Sequence, residues 1–134
     1  MPSNNRSQII FKGSNRIILD AYNANPTSMK ASILSFCEAK QKKSVVVLGD
    51  MLELGGYTEI AHQDIIKQII DSNVEEVLTI GDCFFQTESE DKRLKKFKTI
   101  FEAEEYISKK NYTDREFLIK GSRSTALEHL LEIL

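Results

Sequence analysis

The sequence predicts an α/β fold of the Rossmann-like kind, a doubly wound and mostly parallel sheet with helices on both faces. Short runs rich in Val, Ile, Leu and Phe stand at residues 16–19, 44–48, 76–80, 97–101 and 117–119. Most are continuous rather than alternating, which is how strands covered on both faces read. Between them the apolar residues recur with the helical period. Strand and helix alternating in this way, joined by right-handed crossovers, give an open parallel sheet. The length of 134 residues suits one domain, large enough to bury roughly two thirds of its surface.

The elements follow in order. The first eight residues, MPSNNRSQ, are polar and fall outside the strand–helix rhythm, as an incoming linker does. The strand at 16–19 ends at Asp20, and a helix then starts with Asn25 as its cap and Pro26 at its first position, a favoured pairing. Met29, Ile33, Phe36 and Cys37 share one face of it. After the strand at 44–48 comes a second helix, with Ala61, Ile65, Ile66, Ile69 and Ile70 as its stripe. Residues 87–96 are polar and charged, which predicts a surface excursion between the strands at 76–80 and 97–101. Ala103, Tyr106 and Ile107 mark a further helix, and Leu127, Leu130, Leu131 and Leu134 mark the last.

Composition excludes several classes. Eighteen Lys and Arg oppose twenty Asp and Glu for a net charge of −2, with both signs scattered, whereas a nucleic-acid or membrane-surface protein carries a basic face. The apolar runs are too short for a membrane span or a signal peptide. Cys37 and Cys83 are too few and too far apart for a disulfide framework, and there is no CxxC, so a soluble cytoplasmic protein is expected.

In open parallel sheets ligands bind beyond the carboxyl ends of the strands. Three segments there are unusual: DAYNANPTSM at 20–29, GDMLELGG at 49–56 and KGSRS at 120–124. An Asp leaving a strand, here Asp20, can accept from the two hydroxyls of a ribose. Asn23 and Asn25 carry amides that suit a zwitterion, and they equally suit a turn and a helix cap. The second loop is long and bounded by glycine, either for binding through Asp50 and Glu53 or as a connector with Met51, Leu52 and Leu54 tucked on the core. Lys120, Ser122 and Arg123 stand at a helix start, where basic residues oppose the macrodipole and an anionic ligand compensates.

Other sites are excluded by absence. No GxGxxG follows the first strand and no GxxxxGK[ST] occurs, so neither a dinucleotide fingerprint nor a P-loop is present. His62 and His129 lie far apart in helical patterns without metal-ligand spacing, which predicts surface or boundary positions and no metal site. Cys37 belongs to a core face, and Cys83 follows a strand with nothing to mark it as a nucleophile.

NNRSQ, DAYNANPTSM, VVVLGDMLELGG, the GD after the strand at 76–80 and KGSRS, in this order, together resemble the C-terminal domain of the Mur ligases of bacterial peptidoglycan synthesis. The resemblance covers nearly the whole chain, and its motifs are closest to those of the ligases that attach D-alanyl-D-alanine. It implies an ATP-dependent ligase joining UDP-N-acetylmuramoyl-tripeptide to that dipeptide through an acyl phosphate, with ATP and Mg2+ as cofactors. It further implies N-terminal and central domains as partners within the same full-length chain, and roles in cell-wall biogenesis, cell shape and division. Residues 1–12 then correspond to the end of the central ATPase domain and a linker, and residues 13–134 to the C-terminal domain. By motif, Arg6, Asp20 and Tyr22 face the nucleotide, while Asn23, Asn25, Asp50, Met51, Glu53, Lys120, Ser122 and Arg123 face the dipeptide and the reacting phosphate. No catalytic residue is expected in this segment alone. Without a P-loop it is expected to be inactive alone, to bind no cofactor stably and to be monomeric.

Two other classes fit the architecture. A phosphoacceptor receiver domain has acids after early strands and a Lys after the fifth, which Asp20, Asp50, Asp82 and Lys120 imitate. It departs from this sequence in lacking paired acids after the first strand and a Ser or Thr ending the fourth. A stand-alone binding module for small zwitterions differs from the ligase reading only in having no ATPase domain before it.

Overall fold

The computed structural model describes residues 8–20, 24–39, 43–122 and 127–134. Its strands are β1 (Gln8–Lys12), β2 (Asn15–Asp20), β3 (Ser44–Gly49), β4 (Glu76–Ile80), β5 (Leu94–Phe97) and β6 (Glu116–Lys120). They form one sheet in the order β1-β2-β6-β3-β4-β5. β1 runs antiparallel to β2, and every other pairing is parallel. The helices are α1 (Pro26–Glu38), α2 (Thr58–Ile70), α3 (Asp82–Phe85) and α4 (Ile100–Lys110), with 3₁₀ segments at Gly55–Tyr57 and Leu127–Ile133.

The period-two geometry of the central strand builds both halves of the core. β3 is buried throughout. Val46 and Leu48 pack with Met29, Ile33 and Phe36 of α1 and with Ile65, Ile66 and Ile69 of α2. Val45 and Val47 pack on the other face with Ala103 and Ile107 of α4 and with Leu127 and Leu130. The expected doubly wound sheet is therefore present, and the apolar stripes read for α1 and α2 are the faces they bury. Truncating one such residue, Ile66→Ala for instance, typically costs about 2–5 kcal/mol.

α1 starts as its sequence predicts. Asn25 Oδ1 accepts from the Ser28 N–H at 2.9 Å, and Ser28 Oγ accepts in return from the Asn25 N–H at 3.2 Å. This reciprocal capping satisfies two amides that the helix itself cannot.

Several elements differ from the sequence-based expectation. Residues 8–12 are an edge strand rather than linker, paired with β2 from Gln8↔Leu19 to Lys12↔Asn15, so a domain junction at residue 12 would cut a hairpin. The turn is the two-residue Gly13-Ser14 loop, with Gly13 at φ 59. The apolar run at 97–101 is shared by two elements: β5 ends at Phe97, and Ile100 begins α4. Thr99 caps that helix, its Oγ1 accepting from the Glu102 N–H at 3.2 Å. The excursion expected at 87–96 accordingly contains most of β5. Its fold is pinned by Arg93, which donates to the carbonyls of Ile70, Ser72 and Val74 and to the Asp91 carboxylate. The C-terminal helix is a 3₁₀ segment. His62, expected near the surface, is fully buried, whereas His129 is exposed.

Candidate functional site

The crossovers decide where a crevice opens. α1 and α2, which follow β2 and β3, pack on one face of the sheet, while the segment after β6 packs on the other. β6 lies between β2 and β3, so its carboxyl end is flanked by two chains leaving in the opposite direction. Such a switch point is where α/β sheets hold ligands. The ends of β2, β6 and β3, carrying Asp20, Lys120 and Asp50, thus meet on one rim, as the three unusual segments predict.

Asp20 and Lys120 are register partners in parallel strands, which places both side chains on the same face. The Lys120 ammonium donates to Asp20 Oδ2 at 2.6 Å, with side-chain exposures of 2% for the lysine and 15% for the aspartate. A lysine buried to this degree requires a countercharge. In this pair Oδ2 is the accepting oxygen of Asp20. Gly121, next along, donates its N–H to the Asp20 carbonyl at 3.3 Å and so extends the rim, with Ser122 following half-buried. Asn25 is exposed at the start of α1. Its Oδ1 is committed to the cap, and its Nδ2 is the group it can offer. Arg6, Tyr22, Asn23 and Arg123 lie outside the described residues.

The loop after β3 divides its residues between scaffold and surface. Asp50 turns its carboxylate to the start of α3, where Oδ2 accepts from the Cys83 N–H at 2.9 Å and Oδ1 from the Phe84 N–H at 3.0 Å. Met51 is buried against the core, whereas Glu53 and Leu52 are exposed. Glu53 adopts φ 62, a left-handed backbone that costs a non-glycine residue energy. Gly81, the glycine of the GD motif to which the sequence assigned no role, has φ 123 and leaves room for Asp50: a Cβ there would stand 2.3 Å from the Asp50 carboxyl carbon. Sequence reasoning missed His62, whose Nε2 accepts from the Met51 N–H at 3.0 Å. The signal for Gly81 was the glycine placed directly after a strand and before a short helix.

Asp50, His62 and Cys83 bring one ligand atom each to within 4.8 Å of one another, a spacing a metal could use. The oxygen and nitrogen atoms of the cluster already serve the fold. Both Asp50 oxygens and His62 Nε2 accept from backbone amides, and the Cys83 thiol is pushed up to about 11, first by burial and then by the Asp50 charge. The cluster is a hydrogen-bonded clasp. Cys83 also borders a groove of about 320 Å³ between α2 and α3, shared with Glu59, Gln63 and Glu88.

Residues 5–132 match the family described as Mur ligase, glutamate ligase domain. The chain belongs to that family. Among Mur ligases, the UDP-N-acetylmuramoyl-tripeptide--D-alanyl-D-alanine ligase of Rickettsia prowazekii is 30% identical over 130 residues, covering 95% of this chain and 29% of the relative. The MurF of Acinetobacter baumannii superposes with a TM-score of 0.84 at 30% identity, over 98% of this chain and 30% of that one. The MurF ligase of Thermotoga maritima, solved in complex with ADP, shares the fold with a TM-score of 0.79 at 20% identity, again over 98% of this chain and 30% of the other. The chain thus spans about 30% of the length of these Mur ligases. Membership also removes the receiver reading, which the geometry opposes independently because the Asp50 carboxylate is held by two amides of α3.

Proposed function

We propose that this chain is the C-terminal, substrate-delivering domain of an ATP-dependent ligase that joins D-alanyl-D-alanine to UDP-N-acetylmuramoyl-tripeptide in peptidoglycan synthesis. The observation that carries this reading is the rim at the switch point, where Asp20, Lys120 and Asp50, one from each of three family motifs, stand at neighbouring strand ends. Membership of the family and the names borne by its relatives support the same assignment.

Amide ligation through an acyl phosphate needs the amine brought in and water kept out. A rigid domain with a polar rim meets both needs if it closes over an ATPase domain supplied elsewhere in a longer chain. Asp20 Oδ1 accepts from the ribose, with Arg6 and Tyr22 beside the nucleotide. Asn23, Asn25 and Glu53 face the dipeptide and the reacting phosphate. Lys120 and Ser122 stand on the third side, Lys120 by holding Asp20, and Arg123 is assigned to the same set by its motif. Asp50 and Met51 serve the same loop from beneath, through the α3 cap and the core.

Magnesium is a hard cation that takes oxygen ligands. The two acids at the ends of β2 and β3 are already engaged within the chain, Asp20 Oδ2 by the Lys120 ammonium and Asp50 by two amides, and they form no shared oxygen cluster. We assign its ligands to the ATPase domain, as the resemblance implies. No helix among the described residues is long and apolar enough to cross a membrane, and the proposed use of a UDP-linked precursor and ATP goes with a cytoplasmic location. Two separate apolar clusters complete the core within the chain, which supports a monomer.

The test uses the full-length ligase. Losing a charged acceptor costs about 1.5–3 kcal/mol, so Asp20→Asn is expected to raise the KM for ATP about tenfold or more. Glu53→Gln is expected to raise the KM for D-alanyl-D-alanine and leave that for ATP alone. An Asp20→Asn enzyme that folds normally and keeps its KM for ATP would overturn the nucleotide assignment.

A further inference from the structure

One buried side chain that the ligand-facing set does not include holds both ends of the loop after β3. His62 lies on α2 without solvent exposure. Its Nδ1 is 2.7 Å from the Thr58 carbonyl oxygen and its Nε2 is 3.0 Å from the Met51 amide nitrogen. A carbonyl can only accept and an amide N–H can only donate, so the ring carries its proton on Nδ1 and offers its lone pair at Nε2. The edge-on ring of Phe84, with centroids 4.6 Å apart, fixes the imidazole plane. Asp50 Oδ1 approaches Nε2 to 4.0 Å, but that oxygen accepts from the Phe84 N–H, which leaves the Met51 amide as the ring's partner.

The consequence is topological. Met51 and Thr58 bound the segment that contains Glu53 and the Gly55-Gly56 pair, and one imidazole ties the two ends together. Such a loop would otherwise pay its ordering cost when the substrate binds. Within it, Glu53 and Gly55 adopt φ 62 and φ 58, and Tyr57 N–H donates to the Leu54 carbonyl at 3.1 Å. A left-handed Glu53 persists only where its surroundings over-determine it.

We propose that His62 is a positioning residue for the ligation: by accepting from the Met51 N–H while donating to Thr58, it closes the 51–58 loop and presents Glu53 to the amine-bearing dipeptide. This rests on the reading above that the loop faces the dipeptide. A hydrogen-bonding role, rather than a space-filling one, predicts that the acceptor at Nε2 matters more than the volume of the ring.

Two variants separate these roles. His62→Leu fills most of the volume without an acceptor, and His62→Gln reaches the same place with an amide oxygen. In the 134-residue chain, amide exchange measured by NMR is expected to accelerate at Met51 by tenfold or more in His62→Leu and to recover largely in His62→Gln. In the full-length ligase, His62→Leu is expected to raise the KM for D-alanyl-D-alanine about tenfold with the KM for ATP unchanged, and His62→Gln to restore most of it. Equal loss in both variants, or equal rises in both KM values, overturns the positioning role. If His62→Leu leaves the dipeptide KM unchanged while Glu53→Gln raises it, the positioning role fails alone. If Glu53→Gln has no effect either, the site reading fails and takes this proposal with it. Should the leucine variant not fold, nitrogen shifts of the His62 ring in the unaltered chain decide: a proton on Nε2 excludes the proposed bond to Met51.

Discussion

Gly81→Ala offers the sharpest test of how the rim is built. Gly81 sits at φ 123 and ψ 161, a region essentially reserved for glycine, where a substituted residue costs about 1–3 kcal/mol in backbone strain. The added methyl would also stand 2.3 Å from the Asp50 carboxyl carbon, well inside any carbon–carbon contact. The carboxylate must therefore leave its place and forfeit the Cys83 and Phe84 amides. An anionic cap holding two amides in a site with 11% side-chain exposure contributes about 3 kcal/mol. Together these predict a loss of about 4–6 kcal/mol for Gly81→Ala, a large share of the 5–15 kcal/mol typical of a domain. Asp50→Ala alone should cost about 3 kcal/mol. In the double variant the cap has already gone and the methyl meets little, so it should be about as stable as Gly81→Ala alone. The coupling, about 3 kcal/mol, is readable from urea unfolding followed by circular dichroism. Simple additivity of the two substitutions would refute the reasoning, since it would mean that the methyl and the carboxylate do not compete for one space.

Three further outcomes are expected. The Arg93 guanidinium holds the Asp91 carboxyl at about 2, below its ordinary 3.8, so the pair's contribution is complete above about pH 4 and fades as pH falls towards 2; melting temperature against pH should lose that part of its acid slope in Asp91→Asn. With its thiol at about 11 rather than 9, Cys83 should be alkylated by iodoacetamide at pH 8 about a hundredfold more slowly than an unperturbed cysteine, and a rate matching the free amino acid would contradict the burial and the Asp50 charge that raise it. Asn25→Ala should cost about 1 kcal/mol in thermal unfolding by removing the cap of α1, with Asn25→Asp largely retaining it.

The parts of the fold legible in the sequence were those where one signal sufficed. Continuous apolar runs marked β2, β3, β4 and β6, and Asn25-Pro26 marked the start of α1. Elsewhere two signals competed. Phe97, Ile100 and Phe101 read as one apolar strand, yet Thr99 followed by Glu102 is a helix-start pattern that divides them, and the capping geometry prevailed. QIIFK is masked by the polar residues before it, although the two-residue Gly13-Ser14 loop between it and β2 is itself a hairpin signal. The burial of His62 is not legible because a histidine in an amphipathic pattern has no local sign of it. Its partners, Met51 and Phe84, come from elsewhere in the chain, so only tertiary structure shows that both of its nitrogens are satisfied.

The same distinction separates scaffold from ligand groups on the rim. Sequence places Asp20, Asp50 and Glu53 alike as acids in loops beyond strand ends, and only their neighbours tell them apart. Asp50 spends both oxygens on α3. Asp20 spends one on Lys120, and exposed Glu53 offers a carboxylate in a loop whose ends His62 ties. Commitment therefore decreases from the floor of the crevice to its lip. Under the proposed ligase role that gradient has a physical purpose: groups fixed by protein contacts cost nothing to order when a ligand binds, so the few left open would direct their hydrogen bonds to it. Moving a committed acid into the open set, as Gly81→Ala would do to Asp50, should thus weaken the fold before it strengthens any contact with ligand.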